Sequence, residues 1–279
     1  MEFVILRLSV TRDYLFKSGS RYVLVDTGYE EDWELFKRRL DTAGIGIHQI
    51  SHLILTHHHD DHVGLVHNLV SENPSITVVM SELTQELIRA GENDQNHGGG
   101  LLNRRVAALI LLKQAYVSLF VGKRVDKSKN LLFKPYETRR GDVVFAAEIS
   151  LRDVGIECDG TIFPTPGHTI DSVSILFPGG DCLVGDAAAN FLGFAGTKNC
   201  VVFVRDLPEY YATWKDIIAR GAKRIFPAHG RPFPSERLTR NLGKNKAKRI
   251  VRMNERVAAA ADAVAAVEAG KSRLFRYRS

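Results

Sequence analysis

The stretch Thr56-His57-His58-His59-Asp60-Asp61-His62 carries more information about fold and function than any other part of this sequence. It follows the apolar run 51–56, so it is predicted to begin where a strand ends. Alternate side chains of an extended segment share a face, so His57 and His59 can converge on one metal ion. Asp61 and His62 fall beyond the following turn and can address a second ion. Imidazole and carboxylate are ligands of Zn²⁺ and other first-row divalent metals, so the stretch predicts a metal site.

Three further polar residues stand directly after short apolar runs. His168 lies in the segment TPGHT, Asp186 follows DCLVG, and His229 lies in PAHG. Proteins of the α/β class place functional residues at the carboxyl ends of strands, so these three are candidates to join the first motif. Taken singly, a histidine after a strand is more often an ordinary surface residue.

The rest of the chain alternates between strand-like and helix-like patterns. Residues 2–10 and 21–25 are predicted strands with a turn at 17–20, and apolar residues at helical spacing predict a helix from Trp33 that ends at Gly44. Further elements are predicted as strands at 51–56, 76–80, 142–146, 161–165, 172–177, 181–185 and 223–228, and as helices after residue 62, at about 207–220 and near the C-terminus. This alternation indicates an α/β fold.

A helical insert is predicted at about 82–140, interrupted by the loop 91–100. Its run 106–121 is the most apolar of the chain, but it contains Lys113 and falls short of the ~20 apolar residues of a membrane span. We therefore predict no membrane span. A buried or subunit-facing helix is favoured over a lid above a pocket, which leaves a homo-oligomer open.

The composition is that of a globular protein, since the 279 residues are 44% hydrophobic and 25% charged. Three cysteines predict no disulfide framework and favour a cytoplasmic setting. The N-terminal run, broken by Arg7, predicts a strand rather than a signal peptide. The net charge of +6 is unevenly placed: residues 237–279 hold twelve Lys and Arg against three acids, so this tail carries +9 and residues 1–236 carry −3. A solvated helix face is favoured for the tail over an acidic or nucleic-acid partner.

Five segments in this order resemble the metallo-β-lactamase superfamily. They are 24–28 (LVDTG), 56–62, 165–169, 185–186 and 228–230. The resemblance implies a four-layer αββα sandwich, two mixed β-sheets flanked by helices. It further implies a catalytic domain over 1–236, with the insert at about 82–140, and a basic helical extension over 237–279.

The resemblance also implies the metal ligands. One divalent ion would be held by His57, His59 and His168, and a second by Asp61, His62 and His229, with Asp186 bridging them. Zinc is favoured, with iron or manganese as alternatives. Asp26 would accept a hydrogen bond that orients a ligand. His58 and Asp60 are non-ligand positions, expected to face solvent or, for Asp60, to cap a helix.

The chemistry expected of such a site is hydrolysis by a metal-bridging hydroxide, with Asp61 orienting the nucleophile or moving a proton. We expect a small-molecule ester, thioester or lactone as the substrate. The resemblance departs from acyl-homoserine lactonases at Ala189, where those enzymes carry a tyrosine. Two alternatives stay open: a phosphodiesterase or ribonuclease, with nucleic acid as the less favoured partner, and a mononuclear-iron oxidoreductase similar to persulfide dioxygenases.

Overall fold

The computed structural model of the protein describes residues 1–94, 97–116 and 132–252. The strands among these residues are β1 Val4–Arg7, β2 Arg12–Ser18, β3 Arg21–Val25, β4 Ile50–Ile54, β5 Thr77–Ser81, β6 Gly100–Leu101, β7 Val143–Phe145, β8 Ile149–Ser150, β9 Thr161–Pro164, β10 Val173–Leu176, β11 Asp181–Gly185, β12 Phe203–Val204, β13 Arg224–Pro227, β14 Phe233–Pro234 and β15 Val251–Arg252. The helices are α1 Trp33–Ala43, α2 Asp60–Val63, α3 Val66–Glu72, α4 Glu82–Ile88, α5 Arg104–Tyr116, α6 Leu207–Ala219 and α7 Glu236–Asn241.

Two six-stranded sheets form the centre of the fold. Their strand orders are β1-β2-β3-β4-β5-β7 and β14-β13-β11-β10-β9-β8. In the first sheet β3, β4, β5 and β7 are parallel, while β2 is antiparallel to both β1 and β3. The ends of β1, β3 and β4 therefore meet the start of β2 at one edge. In the second sheet β9, β11 and β13 run in one direction, so their carboxyl ends also share an edge.

Three apolar cores separate four layers, which confirms the predicted αββα sandwich. The core between the two sheets includes Phe16, Val25, Ile54, Ile162, Ile175 and Leu183. The first sheet packs its other face on α1 and α3 through Leu24, Leu53, Phe36 and Leu69. The second packs on α6 through Phe163, Val184, Tyr210 and Trp214. Removal of these side chains from water supplies the main stabilisation of the sandwich.

The N-terminal strands differ from the prediction. The expected strand 2–10 is the shorter β1, and a second strand, β2, occupies Arg12–Ser18 where the sequence indicated only the approach to a turn. Charged residues in β2 hide its alternation, in which Tyr14 and Phe16 face the inter-sheet core. The predicted helix from Trp33 is confirmed, and Gly44 ends it in the left-handed conformation with φ +67°.

The insert and the tail are described in part. Helices α4 and α5 lie within the predicted insert, and the remainder of the run 106–121 beyond Tyr116 lies outside the described residues. The tail begins with α7, whose Leu238 is buried against the second sheet, while the Ala-rich run 257–266 lies outside the described residues. The division of the chain at residue 236 stays a prediction.

A third, small sheet joins the insert to the tail. Its order is β12-β6-β15, so β6 of the insert pairs with β12 on one side and with β15 of the tail on the other. Within the described part of the chain, none of the helices has the length and hydropathy needed to cross a membrane.

Candidate metal centre

The His-rich stretch lies at the edge of the first sheet, after β4, as predicted. A short irregular segment leads from the strand to α2, which begins at Asp60. His57 and His62 are fully buried and His59 is 9% exposed. Thr27, in the loop after β3, fixes the end of this short helix because its backbone N–H and its hydroxyl both donate to the carbonyl oxygen of His62.

The second sheet contributes the other three candidates from neighbouring strand ends. His168 lies in the turn after β9, Asp186 follows β11 directly, and His229 lies two residues beyond β13. Because these three strands end at one edge, the fold brings together side chains that are 18 to 61 residues apart in sequence. His168 and Asp186 are buried, and His229 is partly buried.

All seven predicted ligands meet in one cluster between the sheets. Three overlapping groups have ligand atoms within 4.8 Å of one another: His57, His59 and His168; His57, His62 and Asp186; and Asp61, His62 and His229. Each of these groups could hold a metal ion.

Asp186 lies between two sides of the cluster: a first side with His57, His59 and His168, and a second side with Asp61, His62 and His229. Its Oδ2 is 3.4 Å from His168 Nε2, whereas its Oδ1 is 3.6 Å from His62 Nε2 and 3.4 Å from His229 Nε2. Asp61 belongs to the second side, since its Oδ2 lies 3.3 Å from His229 Nε2. The two carboxyl oxygens of Asp186 therefore face different imidazoles.

Hydrogen bonds occupy the ring nitrogens that point away from the cluster. His168 Nδ1 donates to the carbonyl oxygen of Phe203 at 2.9 Å, and His229 Nδ1 donates to that of Val10 at 3.1 Å. His62 Nδ1 lies 2.9 Å from Asp26 Oδ2. A neutral ring that donates through Nδ1 presents the lone pair of Nε2, which is the form that binds metals.

The cluster contains buried polar atoms that nothing else satisfies. Among the described residues, His57 Nε2, His62 Nε2 and Asp186 Oδ1 are inaccessible to solvent and have no hydrogen-bond partner. Buried polar atoms without partners are costly, and a cation between them removes that cost. The residues present therefore fit a divalent metal site on their own chemistry.

The electrostatics of the first side favour neutral ligands. Burial, reinforced by the neighbouring imidazoles, lowers the pKa of both His57 and His59 well below the ordinary range. Burial also lowers the pKa of His168, although the charge of Asp186 opposes it. Deprotonated imidazole is the form that metal binding requires.

The second side is dominated by carboxylates. Burial would lower the pKa of His62, but Asp61, Asp26 and Asp186 outweigh it and raise that pKa to about 9. Burial would raise the pKa of Asp61, yet the charges of His62 and His229 hold it below its ordinary value. The carboxylates of this side therefore stabilise a positive charge on His62, and a bound cation would take the place of that proton.

Asp26 lies behind the cluster, in the place where the resemblance implies a residue that orients a ligand. Its carboxylate accepts hydrogen bonds from the backbone N–H and the hydroxyl of Thr56, both at 2.7 Å, as well as from His62. Asp26 adopts φ +60°, a conformation that is unusual for a residue other than glycine. The same side chain thus fixes the start of the His-rich stretch and the ring of His62.

The expected exposure of His58 and the expected N-cap position of Asp60 are wrong. His58 is 1% exposed rather than solvent-facing. It stands between His57 and His59 in an extended segment, so its side chain points in the opposite direction, and this direction is also into the protein. Asp60 is the first residue of α2, and His59 occupies the N-cap position. Asp60 is held by Asn93, whose amide donates to its carboxylate at 2.8 Å.

Sequence reasoning missed the residues that support the cluster. Phe203 accepts the hydrogen bond from His168, and its ring lies 6.2 Å from the ring of His59 and 6.1 Å from that of His168. Asn93 of the insert accepts from the backbone N–H of Asp60 at 2.8 Å. No local pattern marks these two residues, since each acts through a contact distant in sequence.

A four-layer αββα sandwich with a buried His and Asp cluster at the shared edge of its sheets is the architecture of a large class of metal-binding hydrolases. The sequence model of the Metallo-beta-lactamase superfamily matches residues 8–229, and the chain belongs to this superfamily. Most of its members are metal-dependent hydrolases.

Individual relatives are more distant. The chain is 25% identical to the Beta-lactamase-like protein 2 homolog of Drosophila melanogaster over 81% of its own length and 60% of that protein. It is 29% identical to Thioesterase pkgB of Emericella nidulans over 58% of its own length and 47% of that protein. The chain thus spans about half the length of these curated relatives.

Solved structures agree on the fold. A metallo-beta-lactamase family protein from Thermus thermophilus superimposes with a TM-score of 0.58 at 19% identity, covering 85% of this chain and 77% of that one.

Proposed function

We propose that this protein is a dinuclear metal-dependent hydrolase of an ester, thioester or lactone, with an acyl thioester as the first choice. The observation that carries this proposal is the convergence of His57 Nε2, His62 Nε2 and Asp186 Oδ1, buried atoms without a partner among the described residues. The choice of a thioester is supported by the similarity to a protein named as a thioesterase.

We assign the seven side chains of the cluster to two divalent ions, zinc first. The first ion would be held by His57, His59 and His168, the second by Asp61, His62 and His229, and Asp186 would contact both. When bound, such ions lower the pKa of water towards neutrality and polarise a carbonyl oxygen.

Asp61 is the proposed catalytic residue. Its side chain is 14% exposed, compared with 6% for Asp186, so it is the more accessible of the two carboxylates. Its Oδ2 faces His229 at 3.3 Å, while its Oδ1 is 3.8 Å from His62. We propose that Asp61 orients the attacking water and accepts its proton at Oδ1.

Tyr29 is a candidate to supply the hydroxyl that Ala189 lacks. Burial raises the pKa of Tyr29, and the charges of Asp61, Asp60 and Asp186 raise it further, so the phenol stays protonated. The side chain is partly exposed, and its hydroxyl makes no hydrogen bond to any residue that the structure describes. We propose that this hydroxyl donates to the carbonyl or leaving-group oxygen of the substrate.

Metal analysis and a substrate screen test the proposal. We expect two zinc ions per chain and hydrolysis of acyl thioesters, p-nitrophenyl esters or lactones, with activity lost to a chelator and restored by zinc. One iron per chain with oxygen uptake on glutathione persulfide would contradict the hydrolase. Cleavage of bis-p-nitrophenyl phosphate alone would favour the phosphodiesterase.

The ligand assignment is tested by His59→Ala, which removes one imidazole of the first group. We expect the variant to lose both tight metal binding and activity. The matched control is His48→Ala, because His48 is exposed and remote from the cluster. Full metal content and full rate in His59→Ala would refute the assignment.

A further inference from the structure

Three arginines lie at the same edge of the fold as the candidate metal centre. β1 ends at Arg7 and β2 begins at Arg12, and these two residues are direct partners across the antiparallel ladder. Arg231 lies two residues beyond His229. Since β1 ends and β2 begins where β3 and β4 end, the topology places Arg7 and Arg12 at the metal edge of the first sheet.

Backbone hydrogen bonds fix these arginines around His229. The N–H of Arg12 donates to the carbonyl oxygen of Ala228 at 2.9 Å, and the carbonyl of Val10, in the turn between β1 and β2, accepts from His229 Nδ1 at 3.1 Å. On the other side of His229, the carbonyl of Arg231 accepts from the Asn190 side chain at 2.8 Å. The three arginines therefore belong to two segments that meet at this ligand.

None of the three arginine side chains is neutralised. Within the described ranges, the guanidinium groups of Arg7, Arg12 and Arg231 form no ion pair and no hydrogen bond with a carboxylate. Other arginines of the chain differ, since Arg139 and Arg224 each bind an aspartate. The cluster is therefore a concentration of positive charge without an internal counter-ion.

The positive charges of the three arginines repel one another, and a bound anion would reduce this repulsion. Like charges directly opposite each other on paired strands destabilise a sheet, which applies to Arg7 and Arg12. Burial lowers the pKa of Arg12, and the charges of Arg7 and Arg231 lower it further. Asp13, the next residue along β2, does not help, because its carboxylate is fully buried and makes no hydrogen bond among the described residues.

We propose that Arg7, Arg12 and Arg231 form a binding site for an anionic group of the substrate, a phosphate or a carboxylate, on the His229 side of the metal centre. Planar guanidinium groups bind such oxyanions in a bidentate manner. The catalytic use of this site rests on the proposed function, whereas anion binding itself does not. The site makes the preferred substrate an acyl thioester whose carrier portion bears the anion.

Two substrates that differ by one phosphate isolate the contribution of the three arginines to substrate binding. Acyl thioesters of phosphopantetheine and of pantetheine are compared in the wild type, in Arg12→Gln and in Arg231→Gln. In the wild type, we expect the KM of the phosphorylated substrate to be about tenfold lower than the KM of the other substrate. In each variant, the ratio of the two KM values should move towards one, and kcat should not change. The matched control is Arg140→Gln, because Arg140 is exposed and precedes β7 at the opposite edge of the first sheet.

Calorimetric titration with inorganic pyrophosphate tests the site without any turnover. Affinity should fall about tenfold in Arg12→Gln and in Arg231→Gln and stay unchanged in Arg140→Gln, since all three variants keep the metal cluster intact. Equal affinities in all four proteins, or an unchanged KM ratio in the variants, would overturn the proposal. If pyrophosphate binding follows the arginines but neither thioester is cleaved, the anion site stands and the proposed hydrolase fails.

Discussion

His58 Nδ1 lies 2.9 Å from Asp171 Oδ1, and both side chains are buried. His58 Nε2 accepts a hydrogen bond from the backbone N–H of Asp94 at 2.9 Å, so the ring is neutral and its proton is on Nδ1, which donates to Asp171. The other oxygen of Asp171 accepts from the Thr84 hydroxyl at 3.0 Å. This pair therefore connects the His-rich stretch, the loop that follows His168 and the insert.

We expect Asp171→Ala to weaken metal binding indirectly, through the loss of its hydrogen bond with His58. The substitution leaves the buried Nδ1–H of His58 without its acceptor and leaves the Thr84 hydroxyl only its contact with the Ser81 hydroxyl among the described residues, so the free energy of unfolding should fall by about 2–4 kcal/mol. Zinc affinity should fall about tenfold or more, because the ligand-bearing segment is no longer fixed. Urea unfolding and a competitive chelator titration measure the two effects.

Asp171→Asn is the conservative comparison, since its amide oxygen can still accept from His58. We expect it to recover part of the zinc affinity that Asp171→Ala loses. The surface control is Asp159→Ala, where an exposed carboxylate pairs with exposed Arg152; this variant should change neither measurement. Zinc affinity in Asp171→Ala equal to that of the wild type would show that the pair does not position the ligands.

The parts of the fold that follow local patterns could be predicted from the sequence. Helix α1 follows from the spacing of Trp33, Phe36 and Leu40, and its end follows from Gly44. The seven cluster residues could be named because four of them lie within six consecutive positions and the others each follow an apolar run. These patterns can be recognised in the sequence because they depend on neighbours a few residues away.

The features that were missed depend on distant partners. β15 pairs with β6 across about 150 residues, and nothing in its two residues indicates a strand. His58 alternates with His57 and His59, but only the positions of Asp171 and Asp94 show that its ring is buried and hydrogen-bonded rather than exposed. Local patterns carry no information about such contacts, so they required the structure.

Gly230 tests how closely the backbone around His229 is packed. It adopts φ +103°, and a Cβ at this position would lie 2.2 Å from the carbonyl oxygen of Asn190. The N–H of Asn190 also donates to the carbonyl oxygen of His229 at 2.8 Å, so the two segments cannot separate without moving His229. We expect Gly230→Ala to lower both thermal stability and zinc affinity.

Gly141→Ala is the matched control for Gly230→Ala. Gly141 has nearly the same φ, +102°, but nothing lies within 4 Å of its would-be Cβ. This variant should lose only the conformational term of about 1–2 kcal/mol and keep its zinc affinity. Equal effects of the two substitutions on stability and zinc binding would mean that backbone contact at Gly230 has no role.

Tyr29→Phe tests the proposed hydroxyl at the site. Loss of a donor that acts on the developing charge should lower kcat by about tenfold to a hundredfold and change KM less. The metal content should not change, because Tyr29 is outside the ligand set. Tyr22→Phe is the control, since Tyr22 lies at the start of β3, at the opposite edge of the sheet. A normal kcat in Tyr29→Phe would exclude this role.

Asp142 links the end of the insert to the first sheet. The hydrogen bonds of its carboxylate predict that the free energy of unfolding depends on pH. Its Oδ1 accepts from the backbone N–H of Val78 and from Arg139, both at 3.0 Å, and its Oδ2 accepts from the Tyr136 hydroxyl at 2.6 Å. Burial would raise the pKa of Asp142, but the bonds from Arg139 and Tyr136 outweigh it and hold the pKa below the ordinary 3.8. The carboxylate form is therefore favoured by folding.

A carboxyl group whose pKa is lower in the folded than in the unfolded state stabilises the protein fully above the unfolded pKa, and this stabilisation is lost as the pH falls through the folded pKa. Asp142→Asn should therefore lower the free energy of unfolding by about 1–3 kcal/mol at pH 7. The difference from the wild type should narrow only below about pH 4. Urea unfolding at pH 7, 5, 4 and 3 measures this change, and Asp153→Asn, at an exposed position, is the control. If the difference in unfolding free energy between the wild type and Asp142→Asn stayed constant down to pH 3, the assigned ionisation would be contradicted.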